Sequence, residues 1–152
     1  MKLFILATAL FIAAVGCAIG GEKSPGPDRD PSKQSKRGTV TDSPSLIKSL
    51  RALGAGATAV GDVEQPFFSI KGAMIKVHDE DVQVFQYANA AAADAEAAPI
   101  SRDGMAVGTR KIFWVGQPHF FKQARLLVLY VGSNDKVVKT LEALLGEQFA
   151  GR

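Results

Sequence analysis

Cysteine is almost absent from this chain of 152 residues, because Cys17 is the only one. No intrachain disulfide can form, so a folded domain here must be stabilised by a packed core. Histidine is also scarce, and His78 and His119 are the only two. His78 precedes a run of acidic residues, but acids at a tight turn are usually solvated turn formers, and zinc needs several well-placed ligands. We therefore predict no metal ligands.

Motifs of catalytic and nucleotide-binding sites are missing as well. The sequence contains no Gly-x-Ser-x-Gly motif, and the glycines at 54, 56 and 61 are not followed by Gly-Lys-Ser/Thr. We predict no catalytic residue and no cofactor. Paired carboxylates depend on a separation in three dimensions that a sequence does not give, so a small envelope hydrolase using acidic residues stays open as an alternative.

Charge of one sign is not concentrated in any stretch. The net charge of +3 and the pI near 9.1 would suit a nucleic-acid binder, but the 18 basic and 15 acidic residues are scattered and form no basic stripe. Neutralisation of phosphates dominates affinity for nucleic acids. We therefore expect no nucleic-acid partner.

The first feature that is present is an export signal. Lys2 is followed by an apolar run from Leu3 to Val15, which has the length of a signal-peptide core and is too short to cross a bilayer of roughly 30 Å as a helix. The run ends in Ala14-Val15-Gly16-Cys17. This ending resembles the lipobox of bacterial lipoproteins, although Ala14 stands where Leu is favoured. The resemblance implies a signal peptide over residues 1–16 and a lipid on Cys17.

Ordinary secretion is the alternative, because Ala14-Val15-Gly16 and Ala18-Ile19-Gly20 both fit the small-x-small pattern of a general signal peptidase. A lone exposed thiol is a liability in an oxidising compartment, and a thioether-linked lipid removes it. We therefore expect the membrane to be a partner through the lipid anchor on Cys17. Ala18, where a retention signal would have Asp, indicates the outer membrane in a cell with two membranes. A secreted or periplasmic soluble protein is the other location.

Residues 17–42 are predicted to be a lipidated cysteine followed by a flexible tether. The segment consists of Gly, Pro, Ser and mixed charges with almost no apolar residue, and such a composition buries too little surface to offset its ordering entropy. Residues 43–152 are enough for a single small domain.

The domain is predicted to be α+β. Ser43 as N-cap and Pro44 begin a helix, which we expect to pack on the domain's own sheet through a stripe of apolar residues (Leu46, Ile47, Leu50, Leu53). The glycines that follow indicate a connection. Strands are predicted near 67–70, 73–77, 82–87, 110–115 and 126–131, with a turn at 79–81 and a connection over 117–123. Two further helices are predicted, one over 90–98 capped by Asn89, and one after 133–135 with an apolar face (Val137, Val138, Leu141, Leu144, Leu145).

The order strand, strand, helix therefore occurs twice, which we interpret as a degenerate ββα duplication. It predicts an antiparallel sheet with helices mainly on one face, and the continuous apolar run from Leu126 to Val131 predicts a central strand buried on both sides. Phe85 and Tyr87 point to the opposite face from Val82 and Val84. That face is expected either to be covered by the N-terminal helix or to be an exposed apolar patch.

The candidate binding residues lie in an aromatic segment from Trp114 to Phe121, around a turn with Gly and Pro. Core filling is the default for Trp114. His119, Phe120 and Phe121 are predicted to lie on a loop, where large rings can anchor a partner. We predict a partner-binding loop of Trp114, His119, Phe120 and Phe121.

A resemblance extends over most of the domain. The stretches Pro66–Gly72, Glu80–Tyr87, Pro118–Phe121 and Arg125–Gly132 are similar to small exported bacterial lipoproteins. This resemblance implies an envelope lipoprotein and carries no activity or catalytic residue. Together the sequence predicts a lipid-anchored cell-envelope protein, more a binding module for an envelope protein or small ligand than an enzyme.

Overall fold

The computed structural model describes residues 40–151. The predicted signal peptide, Cys17, the tether as far as residue 39, and Arg152 lie outside the described residues, so the predictions on them stay predictions. Within residues 40–151 the fold is α+β, as predicted. The helices are α1 (Ser43–Ala52), α2 (Ala90–Ala97) and α3 (Asp135–Leu145).

One six-stranded antiparallel sheet organises the domain, in the order β1-β2-β3-β7-β6-β8. Its strands are β1 (Thr58–Val63), β2 (Gly72–Val77), β3 (Glu80–Gln86), β6 (Pro118–Gln123), β7 (Leu126–Val131) and β8 (Ala150–Gly151). A separate two-stranded ribbon consists of β4 (Ala106–Val107) and β5 (Arg110–Lys111). The strand β7 lies between β3 and β6 and is buried almost throughout, so the prediction of a central strand is confirmed.

The domain begins earlier than predicted. Asp42, rather than Ser43, is the N-cap of α1, because its carboxylate accepts from the Ser45 amide while the Ser45 hydroxyl accepts from the Asp42 amide. These hydrogen bonds lower the pKa of Asp42, and Arg125 lowers it further. Val40 is buried in the core, and the Thr41 carbonyl accepts from the Arg125 guanidinium. Residues 40–42 therefore belong to the folded domain and not to the tether.

Helices cover both faces of the sheet. Helices α1 and α3 cover one face, where buried residues include Leu46, Leu50, Val137, Leu141, Val84 and Val128. The other face, which carries Phe85 and Tyr87, is covered by α2 and by loop residues such as Phe68 and Ile100. Two of the three helices thus share a face, as predicted, but the expectation that α1 or an exposed patch accounts for the second face is wrong. The alternation of side chains in β3 requires a cover there, and α2 supplies it because its small alanines allow close approach. The duplication stays a prediction.

The hairpin between β2 and β3 turns earlier than predicted. His78 and Asp79 form a two-residue turn with positive φ angles of 50° and 65°, and Glu80 already pairs with Val77. Positive φ at both positions is the geometry of a type I′ turn, which matches the twist of the flanking strands.

Other element predictions also need correction. Residues 67–70 are a loop, although their aromatic rings resemble a strand pattern, and Leu53 lies beyond the last helical residue and is exposed. The predicted strand over 110–115 is confined to Arg110–Lys111, and the predicted connections contain β1 and β6. Gly116 and Pro118 suggest a turn, but Pro118 is the first residue of β6, a position where proline is tolerated. In β1 the pairing with β2 contains a bulge between Ala59 and Gly61.

Candidate functional site

The predicted partner-binding loop is a buried strand over most of its length. His119, Phe120 and Phe121 lie in β6, and the two phenylalanines are 1% and 0% exposed. Because successive side chains of a strand point to opposite faces, Phe120 joins the core under α2, and Phe121 joins the core under α1 and α3. The prediction that these rings lie on a loop that anchors a partner is therefore wrong.

Both histidines connect elements of the domain. The two ring nitrogens of His119 lie 2.8 Å from Oε1 of Gln148 and 3.1 Å from the Gly132 carbonyl oxygen, and its ring stacks on Tyr130. Nε2 of His78 lies 3.1 Å from the Thr140 hydroxyl, which joins the β2–β3 turn to α3. Within the described part of the chain no group of three His, Cys, Asp or Glu side chains is placed to hold a metal ion.

Trp114 is half-buried, with its ring turned inward. Its indole N–H donates to the Gly104 carbonyl over 2.8 Å, and its ring makes edge contacts with Phe67 and Phe120 at centroid distances of 5.8 and 5.9 Å. Contacts of this geometry between aromatic rings are favourable beyond their buried area. Of the four predicted residues, Trp114 is thus the one that lies beside the surface, where it fixes the position of the loop.

The neighbours of Trp114 project into solvent. Exposure alternates along the segment from Lys111 to Val115, with Ile112 and Trp114 turned inward. In an extended segment an inward Trp114 forces Phe113 and Val115 outward, and they are 90% and 103% exposed. Sequence analysis did not select Phe113 or Val115 as site residues. All three residues of Phe-Trp-Val are apolar, so the sequence does not show which of them face inward and which face solvent.

A further exposed apolar residue, Met105, lies opposite Ile112 and therefore on the face of Ile112 and Trp114, away from Phe113 and Val115. The Ile112 amide donates to the Met105 carbonyl over 2.9 Å, which continues the β4–β5 ribbon and holds the Met105 segment against residue 112. Five large apolar side chains are exposed within residues 40–151, and three of them are Met105, Phe113 and Val115. Phe113 and Val115 share one face of the segment, and we call these two residues the apolar tip.

The sequence around the apolar tip is basic. The chain contains no Asp or Glu between Asp103 and Asp135, whereas Arg110 and Lys111 are exposed just before Phe113. The Arg110 guanidinium donates to the Pro66 carbonyl, and the Asp103 carboxylate already accepts from the Ser101 hydroxyl and the Met105 amide. Phe113 and Val115 therefore follow two cations in the chain, and the acidic group of the neighbouring segment, Asp103, lies beside Met105.

Two shallow depressions lie elsewhere, near the end of β1 and the start of β2. One of about 470 Å³ has Glu64 as its carboxylate, the other of about 430 Å³ has Asp62, and Lys71 lines both. Lys71 forms an ion pair with Glu64, and this hydrogen-bonded contact raises the pKa of Lys71. Because each depression has a single carboxylate, neither has the facing pair that glycosidase chemistry uses.

Tyr87 carries the one buried side-chain polar atom without a hydrogen-bond partner among the described residues. The residue follows β3 and is 4% exposed, packed with the alanines of α2. Burial raises the pKa of Tyr87, and the nearby Glu96 raises it further. This hydroxyl lines neither depression.

Between Val40 and Gly151 no helix is long and apolar enough to cross a membrane. The longest, α3, has 11 residues, whereas a span takes about 20. Comparison with protein-family models, with curated proteins and with solved structures finds no match to this chain.

Proposed function

We propose that this chain is an exported, lipid-anchored protein of the cell envelope whose domain is a non-enzymatic binding module. The observation that carries the proposal is the apolar tip, in which Phe113 and Val115 project fully into solvent from a segment fixed by Trp114. Exposed apolar side chains are ordinary when scattered singly, but grouped ones mark interaction sites. The tip is therefore the proposed binding surface.

The shape of the surface favours an extended partner surface, that of a protein or a membrane, over a small ligand. Small-molecule sites are concave and enclose most of the ligand, whereas the side chains of the tip project outward from an extended segment. The indole hydrogen bond and the two ring contacts of Trp114 hold the segment in place before any partner arrives. Such preorganisation reduces the entropy lost on binding.

The proposed anchor leaves this surface free to reach a partner. Between Cys17 and Val40 there are 22 residues, which extend to at most about 80 Å. The chain joins the domain beside Arg125, at the start of β7, whereas Gln117, two residues beyond Val115, bonds to Gly132 at the other end of β7. The join and the tip therefore lie toward opposite ends of the central strand.

The anchor is tested with labelled fatty acid. Label should enter the wild-type protein and fail to enter a Cys17→Ser variant, which should then be recovered in a soluble fraction. If both proteins are soluble and unlabelled, the chain is simply secreted and the anchored part of the proposal falls.

The binding surface is tested by a photo-crosslinking amino acid placed at position 113 in cells. Leu53 supplies the matched control position, because it is exposed and apolar but lies beyond the end of α1. Adducts, whether protein or lipid, should form at position 113 and be much weaker at position 53. Equal yields at the two positions would remove the apolar tip from the proposal.

The hydrolase alternative is favoured by no specific observation within residues 40–151. Glu64 and Asp62, the carboxylates at the two depressions, line separate ones. Glu64 is in addition paired with Lys71.

A further inference from the structure

We infer that the surface bound by the apolar tip is an anionic phospholipid bilayer, with Phe113 and Val115 inserted at the level of the headgroups. The inference rests on the proposed function, since it names the partner of the same surface.

The tip is small for a protein interface. A specific protein complex typically buries about 800 Å² on each partner over roughly 20–30 residues. Here the exposed apolar group consists of Phe113 and Val115. The other three exposed apolar side chains are Met105, just before β4, Leu53, at the C-cap of α1, and Val60, in β1. A bilayer has no minimum footprint, because a few apolar side chains contribute as soon as they leave water.

The charge near the tip complements a bilayer that contains anionic lipids. Arg110 and Lys111 precede Phe113, and no acidic residue occurs from there to Asp135. Lysine and arginine near an anionic headgroup layer are attracted to it over about a Debye length. Lys122, farther along β6, is paired with Asp94 and adds nothing to this attraction.

The anchor makes a weak contact sufficient. A group confined by a tether meets nearby surfaces at an effective concentration in the millimolar range. Two inserted side chains and two flanking cations therefore need not hold a free protein on the membrane. They need only decide which side of an already confined domain faces the lipid.

The chain contains its own reporter for this contact. Trp114 is the only tryptophan, and it lies between the two side chains proposed to insert. Lipids brominated on their acyl chains quench indole fluorescence at short range. The mature chain, from Cys17 onward, should be coupled through Cys17 to a maleimide lipid in vesicles of phosphatidylcholine with or without phosphatidylglycerol, so that attachment does not depend on the tip.

We expect Trp114 to be quenched in brominated vesicles that contain phosphatidylglycerol and much less in phosphatidylcholine alone. A Phe113→Ser, Val115→Ser double variant should lose the quenching, Lys111→Gln should reduce it, and the Leu53→Ser control should retain it. Unbrominated vesicles should leave the emission of all four proteins alike, and circular dichroism should show that each one is folded.

Absence of quenching in the attached wild-type chain would overturn the inference. If position 113 nevertheless crosslinks to a specific protein in cells, the proposed binding function stands and its partner is a protein. If position 113 yields no adduct above the control, the proposed function fails with the inference. Quenching that persists in the double variant would also overturn the inference, because contact would then not require the tip.

Discussion

Replacing Tyr87 by Phe should stabilise this protein, whereas the same replacement at Tyr130 should destabilise it. These are the only two tyrosines, and both are buried. The Tyr87 hydroxyl has no hydrogen-bond partner among the described residues, while the Tyr130 hydroxyl accepts from the Asn134 amide over 3.0 Å. The two variants delete the same atom from opposite situations, so each serves as the control for the other.

The expected magnitudes follow from the cost of burying a polar group. A buried, unpaired hydroxyl lowers the stability of the folded state by about 1–3 kcal/mol. Its removal leaves a small void, which costs about a few tenths of a kcal/mol. Tyr87→Phe should therefore raise the free energy of unfolding by about 1–2 kcal/mol, or Tm by roughly 5 °C per kcal/mol. Tyr130→Phe leaves the Asn134 amide at the N-cap of α3 without its acceptor, and should lower the free energy of unfolding by about 1–2 kcal/mol.

The pH dependence of the same pair gives a second measurement. Burial raises the pKa of Tyr87 above its ordinary value of 10.0, so the folded state resists ionisation that the unfolded chain undergoes. A group with a raised folded-state pKa contributes stability that is complete below the unfolded pKa and is lost as pH rises beyond it. Wild-type stability should therefore fall between about pH 9.5 and 11 more steeply than that of Tyr87→Phe.

Urea unfolding followed by Trp114 fluorescence and by circular dichroism would measure both effects in a chain with Cys17→Ser. The reasoning is refuted if Tyr87→Phe destabilises the protein by about 1 kcal/mol or more, because that sign is the one expected for a hydroxyl that is hydrogen-bonded, for example to a buried water. An unchanged slope at high pH in the variant would refute the assignment of the alkaline loss to Tyr87.

Four further substitutions test other contacts. Asp42→Asn should keep the α1 cap at neutral pH. The folded-state pKa of Asp42 is lowered, so the wild type should lose stability as pH falls below about 4, and the variant should lack this part of the loss. The free energy of unfolding of both proteins, measured as a function of acid pH, tests this. Phe120→Ala should cost about 3–5 kcal/mol of stability, whereas Phe113→Ala should stay within about 0.5 kcal/mol because its ring is exposed; equal losses in urea unfolding would contradict the burial assigned to them. Gly72→Ala should destabilise the protein by about 1–3 kcal/mol, because a Cβ would lie 2.7 Å from the Phe85 ring and 2.9 Å from the Val84 carbonyl oxygen; a neutral thermal shift would contradict this close approach.

The sequence was informative where one physical signal dominates. The unbroken apolar run of β7 indicates burial on both faces, and the spacing of Val137, Leu141 and Leu145 indicates one face of a helix. Asn89 caps α2 as its position predicts. In these cases the local pattern and the tertiary environment make the same demand.

Prediction failed where tertiary contacts decide between locally equivalent choices. Gly116 and Pro118 indicate a turn, yet a strand begins at Pro118 because β7 and β8 offer partners on both sides. Likewise, only the pocket formed by Phe67, Phe120 and the Gly104 carbonyl turns Trp114 inward and Phe113 outward. A single sequence does not contain the positions of those distant groups.

The contact between residues 40–42 and Arg125 also determines how the domain bears mechanical load. Arg125 lies in the turn between β6 and β7, and its guanidinium binds the Thr41 carbonyl and lies 3.6 Å from the Asp42 carboxylate. A pull transmitted along the preceding chain would act first on buried Val40 and on this clamp, before it passes along the backbone to α1. The clamp would thus divide such a load between α1 and the turn that joins β6 to the central strand β7.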